Sequence, residues 1–158
     1  MQKMTFPLHS LVIIDDRFFA DYKNAYLMDN KHEGRPYYLA VKEDGDIIWV
    51  VPLSSKVDNY AAKIDRDERK YGKCLYYYIC TVSGKKRVFL IGNMIPVHRS
   101  YIKRPYTINE QPYVIQNEKD VLEIKKRVGQ YLALIRNRKL RPNVDVLSLR
   151  TALIDRFK

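Results

Sequence analysis

The sequence predicts an α+β fold, a compact and strongly bent antiparallel sheet, barrel-like, with peripheral helices on its outside. Short apolar, β-branched runs separated by turn residues fill most of the chain before Asn117, and from there the apolar period becomes that of a helix. No repeat, linker or low-complexity tract interrupts the chain, so residues 1–158 read as a single domain.

In order, Leu8 to Ile14 reads as a first strand. Asp15 and Asp16 offer an N-cap, and Phe18, Phe19, Tyr22, Tyr26 and Leu27 recur on one helical face, which predicts a helix from Arg17 to Met28. The polar run Asp29 to Pro36, with its Gly and Pro, is a loop. Tyr37 to Val41 and Ile47 to Val51 form a hairpin across Asp44-Gly45, and their continuous apolar character predicts cover on both faces. Ser54 to Lys70 carries Val57, Tyr60, Ala61 and Ile64 at helical spacing, and Gly72 ends that helix. Leu75 to Val82 pairs with Arg87 to Ile91 across Ser83-Gly84-Lys85-Lys86, and Tyr76, Tyr77 and Tyr78 put aromatics on both faces of the strand. Met94 to His98 is extended and Tyr101 to Pro112 is a loop rich in Pro, Tyr and Arg. Asn117 caps a helix whose stripe is Val121, Ile124, Val128, Tyr131, Leu132 and Ile135. Beyond Pro142 a last stripe, Val146, Leu149, Leu153, Ile154 and Phe157, predicts a second helix antiparallel to the first on the sheet.

The net charge is +11 and the pI near 9.6, with 46% hydrophobic residues. A small domain needs only about 2 to 8 charges for solubility, so the excess points to a polyanionic partner, with nucleic acid ahead of a membrane surface. No run approaches the ~18 apolar residues of a spanning helix and the start lacks a signal-peptide core, which predicts a soluble, cytoplasmic protein with no membrane partner. Cys74 and Cys80, six residues apart on one expected strand, stand about 20 Å apart and cannot pair. Neither has the neighbours of a zinc site, so buried free thiols, no metal and no cofactor are expected.

Chemistry concentrates where the strand Ile47 to Val51 ends in Pro52-Leu53-Ser54-Ser55-Lys56. Two hydroxyls and an ammonium at a strand end can hold a phosphate by charge-assisted hydrogen bonds. If the phosphate belongs to RNA, the adjacent 2′-hydroxyl is a built-in nucleophile, and the protein need only align it, move its proton and offset the charge on phosphorus. Ser54 and Ser55 are candidates for the oxygens, Lys56 for the charge, and Lys31, His32 or Arg35 for a second cation or proton donor. Against this, Ser55 and Asp58 match a capping box, which would make the serine a helix cap in a non-catalytic RNA-binding module. A protein-binding adaptor with a basic face is a third reading. His9 and His98 read as structural. For RNA contacts, Arg99, Tyr101, Lys103 and Arg104 interleave an aromatic with cations, and Lys85, Lys86 and Arg87 crowd a hairpin.

Three stretches carry a family resemblance: Arg35-Pro36-Tyr37-Tyr38-Leu39-Ala40-Val41 leading to Trp49-Val50-Val51-Pro52-Leu53-Ser54-Ser55-Lys56; Leu90-Ile91-Gly92-Asn93-Met94-Ile95-Pro96-Val97; and the helix segment Gln130-Tyr131-Leu132-Ala133-Leu134-Ile135-Arg136. Together, and in this order, they resemble the endoribonuclease toxins of type III toxin–antitoxin systems, the ToxN/AbiQ/CptN-like group, with the CptN branch nearest. The resemblance implies a Kid/MazF-like barrel and metal-independent, sequence-selective cleavage of adenine-rich RNA that leaves a cyclic phosphate. Its implied partners are cellular RNA substrates and a small pseudoknot antitoxin RNA, in a hetero-oligomeric protein–RNA assembly where each RNA bridges two subunits. The family's hydroxyl pair falls on Ser54 and Ser55 and its lysine on Lys56, although here the lysine follows Ser55 directly where other members carry an intervening proline. Lys31 and Arg35 occupy the loop of the family's upstream lysine, and that loop holds no counterpart of its tyrosine.

Overall fold

The computed structural model describes residues 6–24, 27 and 29–158. Its centre is an antiparallel sheet in the order β4-β5-β3-β2-β1-β7, with β6 also paired to β3. The strands are β1 (Leu11–Ile14), β2 (Tyr37–Glu43), β3 (Ile47–Ser54), β4 (Tyr77–Val82), β5 (Lys85–Leu90), β6 (Ile95–His98) and β7 (Ile102–Pro105). Among the described residues the sheet does not close into a barrel, because its path ends on β4 and β7.

β3 organises the rest. All of its residues are buried, as its unbroken apolar run predicts, and Trp49 is fully enclosed. It pairs Ile47 to Pro52 with β2 on one side but changes partner on the other, pairing Ile47 to Val50 with β6 and then Leu53 and Ser54 with β5. Pro52 falls in the gap between those partners. The Leu53 N–H points to β2, donating to the Pro36 carbonyl at 3.1 Å, so the missing N–H of Pro52 faces the gap and costs no ladder bond.

The helices are α1 (Asp16–Asp21), α2 (Val57–Tyr71), α3 (Glu118–Arg136) and α4 (Val146–Arg156). Asn117 caps α3 by accepting from the Asp120 N–H at 3.1 Å, and the predicted stripe is buried from Ile124 to Ile135. α4 lies on β6 and β3, and Glu43 at the end of β2 ties α3 and α4 to the sheet through Arg136 at 3.0 Å and Arg150 at 2.6 Å. Gly72 ends α2 in the left-handed conformation (φ 79°), where a side chain would be strained.

Three expectations change. The helix expected from Arg17 to Met28 stops at Asp21, because Phe18, Tyr22 and Tyr101 close a ring cluster with centroids 5.3 to 6.0 Å apart that satisfies the apolar face within two turns. Tyr26 and Met28 lie outside the described residues. The second hairpin turns on Ser83 and Gly84 alone, both at positive φ (51° and 81°), so Lys85 and Lys86 belong to β5 rather than to the turn. The segment expected as a loop from Tyr101 to Pro112 contains edge strand β7 and a small hairpin, β8 (Thr107–Ile108) with β9 (Gln111–Pro112), turned by Asn109 and Glu110 at φ 53° and 67°. Pro105 does not prevent β7 from forming, because a proline at the end of an edge strand breaks no ladder.

Candidate functional site

The loop from Asp29 to Pro36 is clamped onto the end of β3. The Arg35 side chain is buried and donates from Nε to the Asp29 carbonyl at 2.9 Å and from Nη1 to the Leu53 carbonyl at 2.7 Å. Buried Asn30 donates from Nδ2 to the Ile14 carbonyl (3.0 Å) and to Asp16 Oδ1 (2.8 Å). Glu33 accepts from Lys103 Nζ at 2.6 Å and from the Asp16 N–H at 3.0 Å. Between these anchors Lys31, His32 and Glu33 are all left-handed, at φ 51°, 53° and 67°. Such a run costs L-residues roughly 1–2 kcal/mol each and persists only where the surroundings over-determine it. The Lys103 ammonium and the Asp16 N–H hold the Glu33 carboxyl below the ordinary carboxylate range.

This clamp brings Lys31 and Arg35 against Ser54 and Ser55. A cavity of about 120 Å³ opens there, lined by these four residues with Arg87, Tyr106 and the apolar Pro36 and Leu53. Ser54 pairs with Val88 on β5, which sets the neighbouring Arg87 beside the serines. The lining holds three cations and no carboxylate, and among the described residues none of the three cations makes an ion pair. Arg35 carries its charge below the surface, and among the described residues its hydrogen-bond partners are main-chain carbonyls. A buried guanidinium solvated this way retains its attraction for an anion. A larger cavity of about 310 Å³ lies beside Tyr76 and Tyr131, but Arg141 is its only cation.

The serines do not cap α2. That helix starts at Val57 with Lys56 as N-cap, and no side chain caps it, so the capping-box expectation for Ser55 with Asp58 does not hold. Instead Ser54 Oγ accepts the Lys56 N–H at 3.1 Å, a tight turn that leaves exposed Ser55 at the cavity wall.

No protein-family model matches this chain, and no curated protein matches its sequence significantly.

Of the residues expected at the site, Ser54, Ser55, Lys31 and Arg35 converge on the cavity. Lys56 and His32 are exposed nearby but do not line it. Among the expected RNA contacts, Arg87 joins the cavity, while Lys85 and Lys86 stay exposed on β5. Arg104 is exposed, Lys103 is engaged by Glu33, and Arg99 lies 3.6 Å from Asp46. Tyr101, expected to stack on a base, is a correction: it is buried, and its hydroxyl donates to Asp21 at 2.6 Å and accepts from Arg156 at 2.7 Å, so no ring face is left for a ligand. Sequence reading missed Tyr106. Its signal was position, directly after Arg104-Pro105 in the basic aromatic run, and its N–H reaches the Leu11 carbonyl at 2.9 Å to fix it at the sheet edge.

Proposed function

We propose that this chain is a metal-independent, sequence-selective endoribonuclease of the type III toxin class, cleaving adenine-rich RNA through its 2′-hydroxyl and restrained by a pseudoknot antitoxin RNA in a protein–RNA assembly. The observation that carries the reading is a carboxylate-free cavity lined by Lys31, Arg35 and Arg87 together with Ser54 and Ser55. Such a set suits one phosphodiester, with the cations offsetting charge as phosphorus becomes five-coordinate and the hydroxyls fixing its oxygens. Lys31, Ser54, Ser55 and Tyr106 are the lining side chains whose proton could be exchanged with the 2′- or 5′-oxygen. The reading includes a Kid/MazF-like fold for the bent sheet, here left open at β4 and β7.

A second reading, a non-catalytic RNA-binding module, is favoured by one observation: the lining includes neither a histidine nor a carboxylate. The test is to incubate purified protein in excess over an adenine-rich RNA without divalent ions and analyse the fragment ends. The first reading expects 2′,3′-cyclic phosphate termini that disappear in Ser55→Ala; intact RNA, bound in a salt-dependent manner, would select the second.

A further inference from the structure

A second cavity of about 140 Å³ shares Pro36, Leu53, Arg87 and Tyr106 with the first. Its chemistry is different. Beyond the shared walls it is lined by Leu11, Val82 and Ile108, with Ser83 and Lys85 as its polar additions. We infer that this second cavity receives the unpaired base of a nucleotide next to the phosphate held in the first, an inference that rests on the phosphate-binding reading above.

A nucleobase has apolar faces and a polar edge, and so calls for apolar or aromatic walls with a few donors at one side. Leu11, Val82 and Ile108 supply the walls, Tyr106 a phenol ring, and Ser83, Lys85 and Arg87 the donors. The space suits one ring system. A base still paired in a duplex cannot enter it without leaving its partner, so the cavity selects single-stranded RNA. The continuity of the two cavities is the main argument, because a nucleotide joins one anionic group to one flat heterocycle and the surface repeats that order. The wall is also built in advance. Tyr113 runs from the β8–β9 side to the tip of the second hairpin, where its hydroxyl accepts the Ser83 N–H at 3.0 Å, and its own N–H binds the Tyr106 carbonyl at 3.0 Å. Binding then spends little on ordering these groups.

The probe is a 2′-fluoro-RNA octamer of adenosines, which keeps the phosphates and bases but lacks the nucleophile, together with octamers carrying one abasic nucleotide at each position in turn. Binding to the full wild-type chain is followed by fluorescence anisotropy at fixed salt. Removing the base at one register position is expected to weaken binding roughly five- to 150-fold, the range for a stacked base, and the other positions far less. Ile108→Ala should erase that position dependence, and Ile108→Val should retain it. An equal small loss at every position, with the intact octamer still bound, overturns the base site and leaves the phosphate reading standing. An intact octamer that does not bind overturns both.

Discussion

The Arg35 guanidinium holds the Leu53 carbonyl at 2.7 Å, joining the loop before β2 to the end of β3. One contact thus does two things: it satisfies a buried carbonyl, and it fixes a positive charge one residue from Ser54. Arg35→Ala leaves that carbonyl without its partner, and we expect a loss of about 1–3 kcal/mol in urea unfolding together with loss of RNA binding. Arg35→Lys should restore neither fully, since an ammonium cannot span the Asp29 and Leu53 carbonyls as a planar fork does.

The two serines should separate in stability and agree in activity. Ser54→Ala removes the acceptor of the Lys56 N–H and should cost about 0.5–1.5 kcal/mol. Ser55 is exposed, and Ser55→Ala should stay within about 0.5 kcal/mol of wild type by the same unfolding measurement. Under the proposed function both lower the cleavage rate roughly a hundredfold or more, and both relieve growth arrest in cells that lack the antitoxin RNA. Growth arrest that persists in both variants would remove the serines from the mechanism.

Salt dependence should identify which cations touch phosphate. Replacing Lys31 or Arg87 with Ala is expected to reduce the slope of log K against log salt by about 0.7 for single-stranded RNA. Lys103→Ala should leave that slope nearly unchanged, because its ammonium is committed to Glu33. Equal changes at all three positions would point to a diffuse basic surface with no defined phosphate site.

Acid should loosen the clamp from the Glu33 side. Its carboxyl is held below the ordinary 4.5, first by the Lys103 hydrogen bond and then by the Asp16 N–H. A depressed carboxylate contributes stability that is fully present above the unfolded-state value and is lost as pH falls from about 4.5 through the folded-state value. Amide protection at Lys31 to Arg35 should therefore drop across that acidic window, and Glu33→Gln should flatten the dependence. A wild-type profile as flat as the variant's would show that the contact does not hold the loop.

Cys80 offers a check on the sheet itself. Burial pushes its thiol up to about 12, and Cys74, also buried, is shifted upward by the same cause. Neither should react with a maleimide at neutral pH until the chain unfolds, so labelling should track the unfolding transition. Rapid labelling of the native protein would show that this region opens on its own.

What could be read from the chain follows from which forces are local. The apolar run of β3, the Asn117 cap and the α3 stripe are set by neighbouring residues and were plain in the sequence. The length of α1 was not, because Tyr101, far away in the chain, completes its packing. The serines, Lys31 and Arg35 were legible as candidates, but their convergence depends on a side chain reaching across to a carbonyl of another strand. Tyr106 and the second cavity were invisible for a similar reason: their walls come from β1, β3, the second hairpin and the β8–β9 hairpin, which no sequence window contains.

The change of partner along β3 has a mechanical corollary. By strand pairing among the described residues, the hairpin that carries Arg87 is fastened to the rest of the sheet only at Leu53 and Ser54, just beyond the proline-marked gap. A phosphate gripped by Arg35 on one side of that joint and Arg87 on the other would act as a rivet. Occupancy and the rigidity of the seam then become one linked equilibrium, in which whatever fills the site also stiffens the frame that built it.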